Sequence, residues 1–321
     1  MRVFLFILAN NVIPISVLII LGYFMGKKFQ LNIFTLTKLN FYIFVPSFTF
    51  VNLYTTKIPF EMIKVAVAAI SILLINLGIS QILSKVRGYD EGFKNAFANS
   101  LMFYNCGNIG VPLITLVFSS NPFIINGEKP YLDVALTTQV MILVVQNITT
   151  NTFGFINAGR ANANWRESFL KILRMPTIYA VPLAFILKAV PYDITQIPLW
   201  PAVKYASNAL VPIALITLGV QLTRTAIEVK DREVYLSSFI RLFGGPVFAI
   251  ILIYFLKIHG VSAQVLMISA ALPTAVNSAL IAVEYDNHPD FASQAVMTST
   301  ILSSITLVFI IYIARILFPV L

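Results

Sequence analysis

The sequence predicts an all-α integral membrane protein with ten transmembrane helices, arranged as two inverted repeats of five helices. Three observations lead to this prediction. Of the 321 residues, 58% are hydrophobic and only 11% are charged, and ten apolar stretches follow one another with short connections. Soluble proteins carry about 25% charged residues, and each stretch is close to the roughly 20 residues that a membrane span needs.

The connections between the predicted spans leave no room for a separate soluble domain. The longest, residues 157–171, joins a first repeat at 1–156 to a second, inverted repeat at 172–321. The first apolar run has no small-residue cleavage site, so we interpret it as a retained span rather than a signal peptide. The predicted spans cover residues 5–25, 34–53, 62–84, 95–118, 132–154, 172–190, 202–222, 234–256, 262–283 and 291–318.

The distribution of Lys and Arg predicts the orientation, because cytoplasmic connections are enriched in both. With the N-terminus outside, the inner connections hold 13 of these residues and the outer ones 8, which leaves Arg241 inside a span. The connection from Glu284 to Asp290 holds no basic residue and does not contribute. We therefore expect a multi-pass protein of the cell membrane, with both termini outside and the 157–171 connection cytoplasmic.

Two predicted spans are interrupted by residues that helices tolerate poorly. Residues 105–112 read Asn-Cys-Gly-Asn-Ile-Gly-Val-Pro, and residues 273–278 read Pro-Thr-Ala-Val-Asn-Ser. Gly and Pro weaken or break the helical hydrogen-bond ladder, and in a bilayer the freed backbone groups need partners from protein or a water-lined cavity. Interrupted spans at corresponding places in two halves indicate the binding site of a transporter.

Other parts of the two halves echo one another in the same order. A lysine precedes a proline by eight residues both at 38–46, in span two, and at 204–212, in span seven. In span five, Gln139-Val140-Met141 resembles Ala295-Val296-Met297 in span ten. Together with the interruptions in spans four and nine, this common order predicts the inverted repeat.

Residues in and beside the interruptions are the candidate binding residues. Asparagine supplies hydrogen-bond donors and acceptors without a charge, and the positive N-terminus of a half-helix suits a carboxylate. Unwound carbonyls could instead coordinate a cation, and the alternative for all these residues is packing or pairing of helices. The predicted substrate-binding residues are Asn105, Asn108, Gly110, Pro112, Gln139, Asn147, Pro273, Thr274, Asn277 and Ser278, together with Arg241.

Arg241 lies about 10 Å from the inner end of its predicted span, at a rise of about 1.5 Å per residue. A charge inside a membrane is costly and usually functional. The functional interpretation is a counter-charge for an anionic substrate, or a structural clamp near Gly244-Gly245-Pro246. The alternative is a long side chain that extends to the cytoplasmic headgroups. The sequence favours neither.

Composition and motifs argue against several other functions. No Asp or Glu occupies the middle of a predicted span, which disfavours a proton relay. Metal-binding, nucleophile and phosphate-loop motifs are absent from the sequence, so we expect neither an enzyme nor a cofactor or metal site. The basic residues form no stripe with aromatic residues, which disfavours nucleic acid. Without a nucleotide-binding domain, transport would be driven by gradients, with H⁺ or Na⁺ as a possible coupling ion.

Several segments resemble the auxin efflux carrier family, which includes the plant PIN exporters and bacterial malate and malonate permease-like proteins. The resemblance extends over essentially the whole chain. The segments are Gly107-Asn108-Ile109-Gly110-Val111-Pro112-Leu113, Leu272 to Asn277 with Glu284-Tyr285, Pro212 to Leu215 with Gly219, and Arg241-Leu242 with Pro246.

The resemblance implies a scaffold part and a transport part, with the substrate held where the broken helices cross. It also implies a carboxylate-bearing anion as substrate, an elevator-like motion and a homodimer in the lipid membrane. The short 157–171 connection replaces the long hydrophilic loop of the plant exporters, so a small bacterial carboxylate is expected rather than auxin. A related group, the sodium-coupled bile acid transporters, leaves a cation site open.

The main hypothesis is therefore a secondary carrier for a small organic anion. Two alternatives remain: a sodium-coupled anion symporter of the bile-acid-transporter type, and a membrane sensor of the same fold that binds a solute without moving it. An intramembrane enzyme is disfavoured because the sequence offers no nucleophile and base, and no metal set.

Overall fold

The computed structural model describes residues 13–55, 61–158, 176–223 and 231–320, and within these ranges the chain is helical, without a β-strand. Predicted features at residues 1–12 and 159–175, including basic residues of the long connection, lie outside the described residues. The helices are α1 (Ile13–Phe29), α2 (Ile33–Thr55), α3 (Glu61–Arg87), α4 (Glu91–Met102), α5 (Cys106–Phe118), α6 (Leu132–Ala158), α7 (Pro176–Ala189), α8 (Trp200–Leu222), α9 (Arg232–Leu256), α10 (Gly260–Ala270), α11 (Val276–Glu284) and α12 (Pro289–Leu317).

Six of the described helices, α2, α3, α6, α8, α9 and α12, are long and apolar enough to cross a membrane. Helices α5, α7 and α10 are apolar but shorter. The predicted fourth span is divided into α4 and α5, and the predicted ninth into α10 and α11. Several apolar helices of spanning length make this a multi-pass membrane protein. The non-helical residues are 103–105 and 271–275, which overlap the predicted interruptions 105–112 and 273–278 only in part, because residues 106–112 already form the first turns of α5.

The described helices pack into two groups. In the small group, α1 packs along α8, and α2 packs against both α7 and α8. The Asn40 amide on α2 donates to the Thr217 hydroxyl on α8 at 3.0 Å. In the large group, α3 to α6 and α9 to α12 pack mainly on one another. The groups meet where α8 contacts the first turn of α5 and where α2 contacts α6. The boundary between the two groups therefore runs beside the interruptions.

Helices α1 and α8 cross closely enough that only glycine fits. A Cβ atom at Gly219 would collide with the backbone oxygen of Ile19 and lie 2.7 Å from the backbone nitrogen of Tyr23. From the other helix, a Cβ atom at Gly22 would lie 2.8 Å from the Cα atom of Ile216. Small residues allow such backbone contact between helices in a membrane. The small group is therefore held by direct contact between intact helices.

Proline shapes three helices in the same way. Each widens into a π-helical turn that ends two residues before a proline: Asn40–Phe44 before Pro46, Cys106–Gly110 before Pro112, and Ile240–Gly244 before Pro246. The proline ring clashes with the carbonyl four residues earlier and provides no N–H group. A wider turn relieves that clash, and such turns are frequent at functional sites.

Candidate functional site

The first interruption, residues 103–105, separates α4 from α5. The Asn105 side chain caps α5, since its Oδ1 atom accepts a hydrogen bond from the backbone N–H of Asn108 at 3.1 Å. The carbonyl oxygen of Asn105 accepts another from the N–H of Gly110 at 2.9 Å. Pro112 follows the π-helical turn Cys106–Gly110, whose wider geometry accommodates the proline ring. Asn105 is thus the residue that starts the second half-helix.

The second interruption, residues 271–275, separates α10 from α11. The Ser278 hydroxyl, in the first turn of α11, donates to the carbonyl oxygen of Ala275 at 2.7 Å. Thr274 is buried, and its hydroxyl donates to the carbonyl oxygen of Ser100 at 2.9 Å. The backbone N–H of Thr274 in turn donates to the Ser299 hydroxyl of α12 at 3.1 Å. Neighbouring helices therefore supply the partners that the interrupted helix lacks.

The two interruptions pair with each other as a short antiparallel bridge between Tyr104 and Thr274. The N–H of Asn105 donates to the Pro273 carbonyl at 2.9 Å, and the N–H of Ala275 donates to the Phe103 carbonyl at 2.9 Å. Backbone groups exposed in a membrane interior cost several kcal/mol each when unpaired. The segments that begin at Asn105 and Pro273 thus satisfy each other's backbone, and they lie in contact as the sequence predicts.

Two glutamines of α6 hold the first interruption from the side. The Gln139 amide donates to the Cys106 carbonyl at 3.1 Å and accepts from the Ser269 hydroxyl at 2.5 Å. Gln146 accepts from the N–H of Tyr104 at 3.2 Å. A Cβ atom at Gly110 would collide with the Gln139 amide nitrogen, so glycine is required where α5 passes α6.

Arg241 is buried behind the interruptions and donates hydrogen bonds to the helix ends that precede them. Its guanidinium donates to the carbonyl of Leu101, at the end of α4, at 2.8 Å, and to the carbonyl of Ala270, at the end of α10. The guanidinium carbon also lies 4.6 Å from the centre of the Tyr104 ring. A Cβ atom at Gly245 would collide with Ala270 and lie 2.6 Å from the guanidinium.

Arg241 therefore acts as a clamp that caps two helix C-termini, where a cation is favourable. The alternative of a side chain that extends to the headgroups is wrong, since Arg241 is 0% exposed. The side chain is held inside by the carbonyl groups that the interruptions leave without helical partners.

A cavity of about 30 Å³ lies beside the bridge, between the interruptions, α2 and α6. The structure brings four of the predicted binding residues to it: Asn105, Asn108, Asn147 and Asn277. None of the described residues that line it is charged. This cavity, here called the inner cavity, is lined by Phe41, Val45, residues 104–108, Leu143, Gln146, Asn147, Thr150 and residues 275–277.

The other predicted site residues support the inner cavity rather than line it. Gly110, Pro112, Gln139, Pro273, Thr274, Ser278 and Arg241 do not lie among its described lining residues. Gln146 and Tyr104, which are not among the predicted site residues, do line it. Gln146 follows Gln139 by seven residues, about two helical turns, so their shared helix face is a signal that could have identified it.

Two residues that line the inner cavity each carry a buried group that has no hydrogen-bond partner in the described part of the chain: the side-chain nitrogen of Asn105 and the hydroxyl of Tyr104. Both can donate a hydrogen bond. Leaving such a group unpaired costs about 1–3 kcal/mol, which an acceptor that reached it would remove. Among the described residues, no group of three or more His, Cys, Asp or Glu side chains could hold a metal ion.

These features define a membrane protein with a polar site between interrupted helices, and comparison with known proteins agrees. The family model described as "Membrane transport protein" matches residues 7–311. The chain belongs to that family, the auxin efflux carrier family. It is also 24% identical over 306 residues to an "uncharacterized transporter" of Methanothermobacter thermautotrophicus (strain Delta H), a match that covers 93% of this chain and 95% of the relative.

Proposed function

We propose that the protein is a secondary carrier of a small organic anion, a carboxylate, bound where the interrupted helices meet. The observation that carries this proposal is the pair of unpartnered buried donors, on Tyr104 and Asn105, beside the inner cavity. A carboxylate supplies acceptor oxygens of the kind that these donors lack. The family and the transporter relative support transport as the activity.

The charges around the inner cavity favour an anion over a cation. The first turns of α5 and α11 line the cavity, and the N-terminus of a helix carries partial positive charge. The C-termini of the opposite halves, α4 and α10, carry partial negative charge, but Arg241 covers both. The described lining residues include no carboxylate. The cavity therefore faces positive helix ends while the negative ends are neutralised.

The proposed architecture is ten spans in two inverted repeats, with the small group as scaffold and the large group as the moving transport part. In support, the boundary between the groups runs along the inner cavity through α2 and α6. A cavity of about 30 Å³ holds one or two water molecules, so a carboxylate requires the groups to separate. We propose a homodimer in the cell membrane with both termini outside, driven by a solute gradient or by H⁺ or Na⁺.

A flux assay in proteoliposomes tests the proposal. Purified protein should take up labelled malonate or malate with saturation, and the Asn108→Ala, Asn277→Ala double variant should lose most of this flux. Asn76→Ala is the matched control, because Asn76 is a buried asparagine of α3 away from the inner cavity whose amide has no partner among the described residues. Its flux should remain at the level of the unmodified protein.

Thermal shifts with the same carboxylates separate carrier from sensor, because a ligand that binds the folded state raises the apparent stability. Binding without flux would indicate the sensor, and neither binding nor flux would refute the proposal. Repeating the flux assay with a Na⁺ gradient, and then with a pH gradient, identifies the coupling ion.

A further inference from the structure

A second small cavity, of about 40 Å³, lies between α1, α5 and α12. Its polar lining consists of hydroxyl groups, from Ser16 on α1 and from Thr300, Ser303 and Ser304 on α12. None of its described lining residues is charged. We call it the hydroxyl cavity.

The hydroxyl cavity and the inner cavity lie on opposite sides of the bridge. On α12, Ser299 contacts Thr274 at the level of the bridge, and the hydroxyl cavity is lined by the residues that follow, towards the end where Phe318 accepts a hydrogen bond from α10. On α6, Gln139 contacts the first turn of α5. The inner cavity is lined by later residues of α6, as far as Thr150 near its other end.

A third cavity lies between α6, the last predicted span of the first repeat, and α7, the first span of the second repeat. The hydroxyl cavity lies at the corresponding pair, between α12, the last span of the second repeat, and α1, the first span of the first repeat. The third cavity is lined on α6 by residues 144, 147 and 148, and residues 300, 303 and 304 repeat this spacing on α12. The α6 set begins three residues after the methionine of Gln139-Val140-Met141. The α12 set begins three residues after the methionine of the similar segment Ala295-Val296-Met297.

The partner helices agree, because Ser16 and Ile19 of α1 repeat the spacing of Ile178 and Val181 of α7. Asn147 lines both the third cavity and the inner cavity, so these two cavities adjoin at that residue. The hydroxyl cavity is therefore the counterpart of a space next to the proposed substrate site.

Thr300 provides an independent observation in favour of a polar ligand in the hydroxyl cavity. Thr300 is 7% exposed, and its hydroxyl has no hydrogen-bond partner in the described ranges. The neighbouring Ser303 hydroxyl donates to the Thr300 carbonyl at 2.7 Å, and Ser304 donates to Ile301 at 2.7 Å. A buried hydroxyl without a partner costs about 1–3 kcal/mol. An anion that accepts a hydrogen bond from the Thr300 hydroxyl would remove this cost.

We infer that the hydroxyl cavity is the outer half of the path of the carried anion, with Thr300 as a hydrogen-bond donor on that path. This inference rests on the proposed function. In the present conformation each cavity has room for only a few water molecules, so neither half holds a carboxylate. The outer half opens when α5 and α12 separate from α1, and the inner half opens when α6 and α11 separate from α2.

Cysteine labelling tests which side each half reaches. The variants Ser303→Cys and Thr150→Cys are treated with a membrane-impermeant methanethiosulfonate from either side of oriented vesicles, and the labelled peptide is identified by mass so that Cys106 is counted separately. The Ser303→Cys variant should be labelled only from the outer side, and malonate should slow the labelling. The Thr150→Cys variant should be labelled only from the inner side.

Ile305→Cys is the control for labelling, because Ile305 is 62% exposed on the outer surface of α12 and should face lipid, which the charged reagent does not enter. Labelling of the Ser303→Cys variant from the inner side, or from neither side, overturns the inference. Labelling of the Ser303→Cys and Ile305→Cys variants at the same rate also overturns the inference.

A hydroxyl deletion provides the second readout. Thr300→Val should lower malonate flux about tenfold, which corresponds to 1.4 kcal/mol in the barrier. Thr306→Val is the matched control, because the Thr306 hydroxyl is also without a partner in the described ranges but does not line the hydroxyl cavity. Equal flux in both variants overturns the inference. If the unmodified protein moves neither malonate nor malate, the proposed function fails, while the sidedness of labelling still decides the inference.

Discussion

The molecule contains two crossings of helices, which are built by opposite means. At the α1–α8 crossing the helices are intact, and glycines bring their backbones into contact. At the crossing of the interrupted helices, the backbones are unwound and paired through hydrogen bonds, with glutamine, threonine and arginine side chains around them. The first crossing needs close packing, and the second needs a complete set of hydrogen bonds.

The difference shows how a membrane protein can hold a polar site without losing stability. Intact helices satisfy their own backbone and can pack against any apolar surface. Interrupted helices expose backbone groups that must be paired, so each surrounding polar side chain has a specific partner. The glycine crossing should therefore tolerate polar changes nearby but not added volume, whereas the interrupted crossing should be sensitive to the loss of single hydrogen bonds.

The largest effect is expected from Arg241→Met, which keeps the volume but removes the clamp. Two buried carbonyls, of Leu101 and Ala270, lose their partner, and each unpaired group costs about 1–3 kcal/mol, or about 2–6 kcal/mol for both. The melting temperature should fall strongly and carboxylate flux should disappear. Arg241→Lys should recover only part of the stability, since an ammonium group cannot reproduce the guanidinium fork. Equal stability of Arg241→Met and the unmodified protein would contradict the clamp.

The next effect concerns the glycine crossing. Gly219→Leu places a side chain where the backbone of Ile19 lies, and overpacking of this kind costs about 1–3 kcal/mol or more. The melting temperature should fall, but the additional shift produced by malonate should be unchanged, because the inner cavity is untouched. A lost malonate shift in folded protein would show that the two crossings are coupled.

A smaller effect distinguishes the crossings with a matched pair of glutamines. Gln139→Leu removes the partner of Cys106 and of Ser269. Gln264→Leu, near the start of α10, removes the partner of the Phe318 carbonyl. Both should lose about 1–3 kcal/mol of stability. Only the change at Gln139 should also weaken malonate binding, which thermal shift or direct titration measures. The same loss of binding in both variants would mean that the interrupted crossing has no special role.

The smallest effect is expected at Asp90, which caps α4, the half-helix that enters the first interruption. The N–H of Phe93 donates to its carboxylate at 2.9 Å and lowers its pKa, and His288 lies 3.6 Å away. Asp90→Ala should lower stability at neutral pH by about 1 kcal/mol, as for other N-caps.

The pH dependence of this effect has a defined sign. Because folding lowers the pKa of Asp90, its contribution is complete above the ordinary carboxyl value of 3.8 and is lost as the pH falls through the lower, folded-state pKa. The difference in melting temperature between the two proteins should therefore shrink in acid. A difference that is constant with pH would exclude the carboxylate as the capping group.

The sequence predicts the class of fold and the approximate position of both interruptions, because these depend on local properties. Apolar length identifies spans such as α3, and Pro273 lies within the second interruption. Gly107, Gly110 and Pro112 instead lie in the first turns of α5, just after the first interruption. That the two segments cross was implied only by the family resemblance. Contacts between distant residues were not predictable. The partners of Arg241 are carbonyls, which every residue carries, so no side-chain pattern distinguishes them from the alternative at the headgroups.

The same limit explains the division among the predicted site residues. Asn105, Asn108, Asn147 and Asn277 line the inner cavity, but Gln139 and Thr274, equally polar and close in sequence, bond to backbone instead. Which direction a polar side chain takes depends on the neighbouring helix. Sequence patterns give the face of a helix but not what lies opposite it.

The short bridge between Tyr104 and Thr274 restricts how this protein can move. Separating the two segments would break two amide–carbonyl hydrogen bonds in the membrane interior, at a cost of several kcal/mol for each backbone group left unpaired. Thermal energy at ambient temperature does not often supply that amount. We therefore expect the two unwound segments to stay together as one unit in any movement of the molecule.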